Sequence, residues 1–194
     1  MKSSIVLRRF AAFGGFLLLI LVSGQSGLAA GPREVTDEEM KAMRQQIEKE
    51  AQKLGQELEK KEYDSDFAKQ VSVEYRLDAF KIDQLLARRI DIDYSTSGMV
   101  TATYEAESEY DDLLNKYYQK LLMKLSDEDK AVLKQAQKNW LQFRDSEHEL
   151  NSLLTEDEYS GGGTIQQTIG SDCDLELTKA RVRGLVDYLL RFAE

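Results

Sequence analysis

Tyr110-Asp111-Asp112-Leu113-Leu114-Asn115-Lys116-Tyr117-Tyr118-Gln119-Lys120-Leu121-Leu122-Met123-Lys124-Leu125-Ser126-Asp127-Glu128-Asp129 is the stretch on which the reading of the fold turns. Tyr110, Leu114, Tyr117, Leu121 and Leu125 recur at steps of three and four, which places them on one face of a helix. Ser126 then breaks the run and offers its hydroxyl to the free amides of a second helix, whose first turn is acidic. That second helix carries Leu133, Ala136, Trp140, Phe143, Leu150 and Leu154 on a similar stripe. Two such helices joined by a short polar turn are expected to fold back as an antiparallel pair.

Working outward toward the C-terminus, Thr155 to Gly163 ends in three consecutive glycines, which cannot be helix interior, so a loop is expected there. A helical pattern resumes through Leu177, Val182, Leu185, Val186 and Leu189. Toward the N-terminus, Thr36-Asp37-Glu38-Glu39 reads as a capping box. Met40, Met43, Ile47, Ala51, Leu54 and Leu58 then form a narrow apolar stripe, read as a loosely docked arm, until Tyr63-Asp64-Ser65-Asp66 interrupts it. Residues 67–104 admit two readings. Ile90 to Tyr94 and Met99 to Tyr104, around Ser95-Thr96-Ser97-Gly98, fit a β-hairpin by period and propensity. Tyr75, Ala79, Ile82, Leu86 and Ile90 fit a helix equally well, and helix to about Asp91, a loop through Gly98 and a further helix is the reading favoured. The expected fold is all-α, an antiparallel bundle of four to five helices, with residues 31–66 as an N-terminal arm and 67–194 as the main domain.

The chain has 194 residues, 42% hydrophobic and 31% charged, with one His, one Cys and one Pro. This length suits one domain, and the apolar fraction suffices for a core, which excludes disordered and collagen-like classes. One cysteine forms no internal disulfide and, with one histidine, completes no Cys/His zinc site. Lys2, Arg8 and Arg9 precede the apolar run Phe10 to Val22 and the small residues Gly27-Leu28-Ala29-Ala30, so residues 1–30 read as a cleaved signal peptide and the protein as periplasmic or secreted. Lys+Arg number 26 against 35 Asp+Glu, for a net charge of −9. Loss of residues 1–30 removes only basic side chains and makes the remainder more acidic. Nucleic acid is therefore a disfavoured partner, since phosphate binding needs dense basic patches, and a cationic or neutral protein is a favoured one. Enzyme classes find little support: no G-x-S-x-G, H-E-x-x-H, phosphate loop or dinucleotide fingerprint occurs. Asp91-Ile92-Asp93 lacks the remaining ligand positions of a calcium loop, and no metal or cofactor is expected.

Tyr110 to Tyr118, then Gln135-Ala136-Gln137-Lys138-Asn139-Trp140-Leu141-Gln142-Phe143-Arg144-Asp145, then Gly161-Gly162-Gly163-Thr164, then Cys173 with Leu177-Thr178 and Arg181 follow one another in that order. As a set this series resembles the LprI-type lysozyme-inhibitor domain of bacterial envelope proteins, over residues 105–192. The resemblance implies an exported helical domain whose namesake inhibits lysozyme. It also implies a disulfide that this chain lacks, because the family usually has a cysteine where His148 stands, paired with the position of Cys173. Such a bridge is worth ~2–5 kcal/mol in a small exported domain, so packing must replace it. Cys173 is read as a buried free thiol, with an intermolecular bridge as the alternative.

The polar residues of these motifs, Asp111, Asn115, Gln137, Trp140, Arg144, Asp145, Thr178 and Arg181, are given structural roles: Arg144 is expected to bond Asp111 or Asn115 on the facing helix, and Trp140 to pack inward with the tyrosines. The alternative directs Arg144 at the catalytic carboxylates of a partner. The candidate contact surface is the loop Glu156, Asp157, Glu158, Tyr159, Ser160, Gly161, Gly162 and Gly163, acidic at its start and free of side-chain bulk at its end. Two functions follow: inhibition of a basic lysozyme by occluding its cleft, or a cell-envelope interaction module in which the helix after Thr36 docks another protein.

Overall fold

The computed structural model describes residues 31–192, so the signal-peptide reading lies outside the described residues. The described chain is built from α1 (Asp37–Leu58), α2 (Asp66–Ile92), α3 (Thr96–Lys124), α4 (Asp127–Leu154), the single turn α5 (Asp157–Ser160) and α6 (Ile165–Leu189), with no strand among the described residues. The expected all-α bundle is what forms.

Each long helix before α5 starts where a hydroxyl meets a free amide. Thr36 and Glu39 complete the capping box of α1. Ser65, Ser95 and Ser126 accept from the amides of Ala68, Gly98 and Asp129 at the starts of α2, α3 and α4. The region 67–104 resolves as helix, break, helix, and the break is only Asp93 to Ser95. Asp93 closes it: its carboxylate accepts from the Ser95 amide at 3.2 Å and the Ser95 hydroxyl at 2.6 Å. A Cβ at Gly98 would overlap that carboxyl group, which is why a residue without a side chain stands there.

Helices adjacent in sequence run antiparallel, but the most intimate pair is α3 with α6, and these two run parallel. Thr96 meets Thr164, Thr103 meets Asp172, and Tyr110 meets Lys179, so residue numbers rise together along both helices. Small side chains let the backbones approach: Thr103 of α3 and Ser171 and Thr178 of α6 are all buried, while Ala102 and Ala106 turn toward Ile82, Leu85 and Arg89 of α2. Beyond them Tyr110, Leu114, Tyr117 and Leu121 interlock with Val182, Leu185, Val186 and Leu189 as the core.

On one side α2 lies antiparallel to α3. Tyr110 donates to Asp83 at 3.0 Å and Tyr117 to Asp78 at 3.2 Å, while Lys116 sits 2.6 Å from Asp78 and 2.8 Å from Glu74. Burial beside these carboxylates pushes both phenols upward in pKa and keeps them as donors. Helix α1 is not a loose arm. Its stripe is used up within the protein, with Ile47, Ala51 and Leu58 buried, and Glu50 and Glu48 pair with Arg88 and Lys81 of α2.

Helix α4 departs from expectation in its rotation. It folds back as predicted, but it lies over both α3 and α6, and the stripe it turns inward is Leu133, Gln137, Trp140, Arg144, His148 and Asn151. Phe143, Leu150 and Leu154, expected in the core, are 50%, 46% and 49% exposed, and Ala136 is exposed as well. The cause is polar pairing: buried hydrogen-bonding groups on α3 and α6 must be met, and only the polar stripe of α4 can meet them.

Candidate functional site

The polar seam beneath α4 is built from three successive layers. In the first, the Arg181 guanidinium donates through Nε (3.0 Å) and a terminal nitrogen (2.8 Å) to the Gln137 side-chain oxygen. Burial pulls the Arg181 pKa downward, which is the cost of placing a charge against a neutral partner. In the second, Arg144 donates to Asp111 at 2.8 Å. The Trp140 ring lies between the two guanidiniums, 5.2 Å from that of Arg144 and 5.7 Å from that of Arg181. In the third, the Nε2 of His148 stands 3.6 Å from Glu107 and 3.5 Å from Asp174, and Asn151 donates to Asp174 at 2.7 Å.

This arrangement gives the motif residues their places. Arg144 has the partner predicted, Asp111, and its side chain is mostly enclosed. Thr178 is wholly buried in the α3/α6 seam. Asn115 lines a shallow hollow with Asp111 and Gln137 on the outer side of the same seam. Asp145 points to solvent, 3.8 Å from the Arg144 Nε. Cys173 is exposed, contrary to the expected buried thiol, because the inward stripe of α6 runs through Ser171, Asp174, Leu175 and Thr178 and leaves position 173 outside it.

The contact loop sits at the end of the bundle where α3 and α6 begin and α4 ends. Glu156, Asp157, Glu158 and Tyr159 are exposed. It is a folded turn rather than a slack connector: Asp157–Ser160 makes one helical turn, and Gly161, Gly162 and Gly163 follow with φ of 74°, 82° and 107°, a backbone region that side chains disfavour. The Ser160 hydroxyl donates to the Thr155 carbonyl at 3.3 Å and accepts from the Gly162 amide at 3.2 Å. Thr164 bonds Thr96 at 3.0 Å, tying the far end of the loop to the start of α3.

Beside the loop opens a hollow of about 470 Å³ lined by Tyr104, Glu107, His148, Asn151, Thr155 and Asp174, among others. Burial raises the Glu107 pKa, and Asp174 adds to it while His148 opposes it. Sequence reading missed Glu107 and Asp174. Their signal was available: each falls on the inward stripe of its helix, where a carboxylate needs a partner. Among the described residues no group of three or more His, Cys, Asp or Glu is placed to hold a metal ion, and Asp93 is occupied in the α2–α3 break.

Residues 92–185 match the family described as lysozyme inhibitor LprI. No curated protein and no solved structure matches the chain. The matched stretch spans α3, α4, the glycine loop and most of α6, and so takes in the seam, the loop and much of the core just described, to which Val71 and Ile82 of α2 also contribute.

Proposed function

We propose, from the match of residues 92–185 to the lysozyme inhibitor LprI domain family, that this chain is an exported binding protein that blocks the cleft of a basic lysozyme with the loop Glu156 to Gly163. The observation that carries the reading is the coincidence of that domain with an exposed acidic turn at one end of a net-negative bundle. A lysozyme cleft contains two carboxylates within a strongly basic protein. Glu156, Asp157 and Glu158 suit the basic rim, while Tyr159 and the glycine backbone offer uncharged donors that can approach the cleft without like-charge conflict. Periplasmic or secreted location follows from reading residues 1–30 as a leader and completes the logic, since the enzyme acts on the cell wall.

Nothing in this reading requires chemistry by the chain itself. The motif arginine is committed to Asp111, and the seam residues hold α4 in the place from which the loop projects.

The experiment is lysis of cell-wall suspensions by a basic lysozyme with increasing amounts of the purified protein. Inhibition at micromolar concentrations in low salt is expected, weakening as the screening length falls to about 10 Å and below. Undiminished lysis at a large molar excess in low salt would contradict the proposal.

A further inference from the structure

We infer that the hollow between α3, α4 and α6 is a binding site for a guanidinium group, and that it receives an arginine side chain of the partner protein. Its walls hold two carboxylates, Glu107 of α3 and Asp174 of α6, whose side chains are 16% and 11% exposed. Both stand within 3.6 Å of the same ring nitrogen of His148 on α4, and that nitrogen hydrogen-bonds neither of them. Asn151 donates to Asp174, but it brings only a neutral amide.

The hollow differs from the other places where helices meet through charge. Glu74 and Asp78 have Lys116, Asp83 has Lys179, Glu50 has Arg88 and Asp111 has Arg144. No lysine or arginine is among the residues that line the hollow. Arg144 is near enough to act on Glu107, but Asp111, to which it is bonded, acts on Glu107 in the opposite sense. Negative charge therefore outnumbers positive here whether or not the His148 ring carries a proton. Enclosed carboxylates without a counter-charge are destabilising, and a cation supplied from outside relieves that.

Two carboxylates on different helices around one ring suit a planar donor that points two ways, and a guanidinium carries its N–H groups in such a fork where an ammonium does not. Tyr104, half exposed, brings an aromatic ring into the lining, and arginine is the cation found more often against such rings. The volume of about 470 Å³ falls in the range of pockets that enclose small groups. Thr155 belongs both to the hollow and to the end of α4 from which the acidic loop starts, so a basic protein drawn to Glu156, Asp157 and Glu158 covers both. That the arginine is a lysozyme's rests on the reading of the loop given above; the affinity of the hollow for guanidinium does not.

The chain has one histidine, so the His148 ring gives a unique signal in nuclear magnetic resonance. Titration of the purified protein with N-acetylarginine methylamide at constant neutral pH should move that signal saturably, with a dissociation constant of about 1–20 mM. The norleucine analogue should leave the signal in place, and the lysine analogue should bind at least about threefold more weakly. E107Q relieves a buried charge and should stay folded, yet it and D174N should each weaken the arginine analogue at least about fivefold. E149Q, which removes an exposed charge next to His148 in sequence, should bind as the wild type does. No saturable shift at about 50 mM, equal binding of the lysine analogue, or unchanged binding in E107Q and D174N overturns the guanidinium site. With a basic lysozyme in place of the analogue, E107Q should again bind at least about fivefold more weakly. An unchanged lysozyme affinity in a variant that has lost the analogue overturns the assignment to the partner and leaves the loop reading standing. Absence of lysozyme binding by the wild type overturns the loop reading and the partner assignment together, while the titration alone decides the guanidinium site.

Discussion

Arg144 acts on two neighbours at once, giving a charge-assisted hydrogen bond to Asp111 on α3 and its guanidinium to the Trp140 ring. R144A should therefore lower unfolding free energy by about 1–3 kcal/mol, measured by urea titration, because it leaves Asp111 without its partner and the half-buried indole with one guanidinium instead of two. R144K should recover only part of that, since an ammonium cannot reproduce the planar fork. If R144A were neutral, the seam would not be what holds α4. Glu107 makes the second residue-scale prediction. Burial lifts its pKa above the ordinary 4.5, so the folded protein binds its proton more readily than the unfolded chain does. The resulting stability is full below 4.5 and is lost as pH rises through the raised value. Glu39 works in the opposite sense: Arg33 and the Thr36 amide hold it at about 2, and its contribution is lost as pH falls from 4.5 toward that value. E107Q should accordingly raise the thermal midpoint at pH 7 and leave it unchanged near pH 4. An unchanged midpoint at both would refute the burial of this carboxylate.

At the scale of the element, α4 separates two ways of reading a helix. Its apolar residues were legible as a stripe, but the stripe that faces inward is polar, one position further round. Hydrophobic spacing could not reveal this, because the orientation is fixed by Arg181, Asp111, Glu107 and Asp174, which lie on other helices far away in sequence. The helix starts were legible from local chemistry alone: Thr36 with Glu39, and Ser126, cap as expected. The break between α2 and α3 was legible in outline and shorter than expected, since Asp93 and Ser95 close it within three residues. The rotation of α4 predicts a sharp contrast. L133A should cost about 2–5 kcal/mol, as for a buried leucine, whereas F143A should stay within about 0.5 kcal/mol. Equal losses in paired chemical-denaturation curves would mean that α4 packs by its apolar stripe after all.

The parallel packing of α3 and α6 is a property of the whole molecule. It requires two reversals through α4 and the glycine loop, and small residues at the seam. Sequence reading reached the alternation of direction and four to five helices where six form, the single turn α5 among them, but no local signal pairs Thr103 with Ser171 and Thr178 across so long a separation. T103L should push this pair apart and destabilise the fold by about 1–3 kcal/mol. The same geometry fixes the candidate site, because the loop projects from the end where α3 and α6 begin together and Thr96 meets Thr164. The loop's acidic composition was legible from the start; its folded turn and the Glu107–His148–Asp174 hollow beside it emerge only when three helices are assembled. The most direct measurement is the dissociation constant for a basic lysozyme at low and at physiological salt, for the wild type and for E156Q/D157N/E158Q. The account predicts wild-type binding in the micromolar range or tighter at low salt, weakened at least about tenfold by the triple substitution, with a flatter salt dependence for the variant. Equal affinity of the two proteins, or no binding by either at about 100 μM, would contradict it.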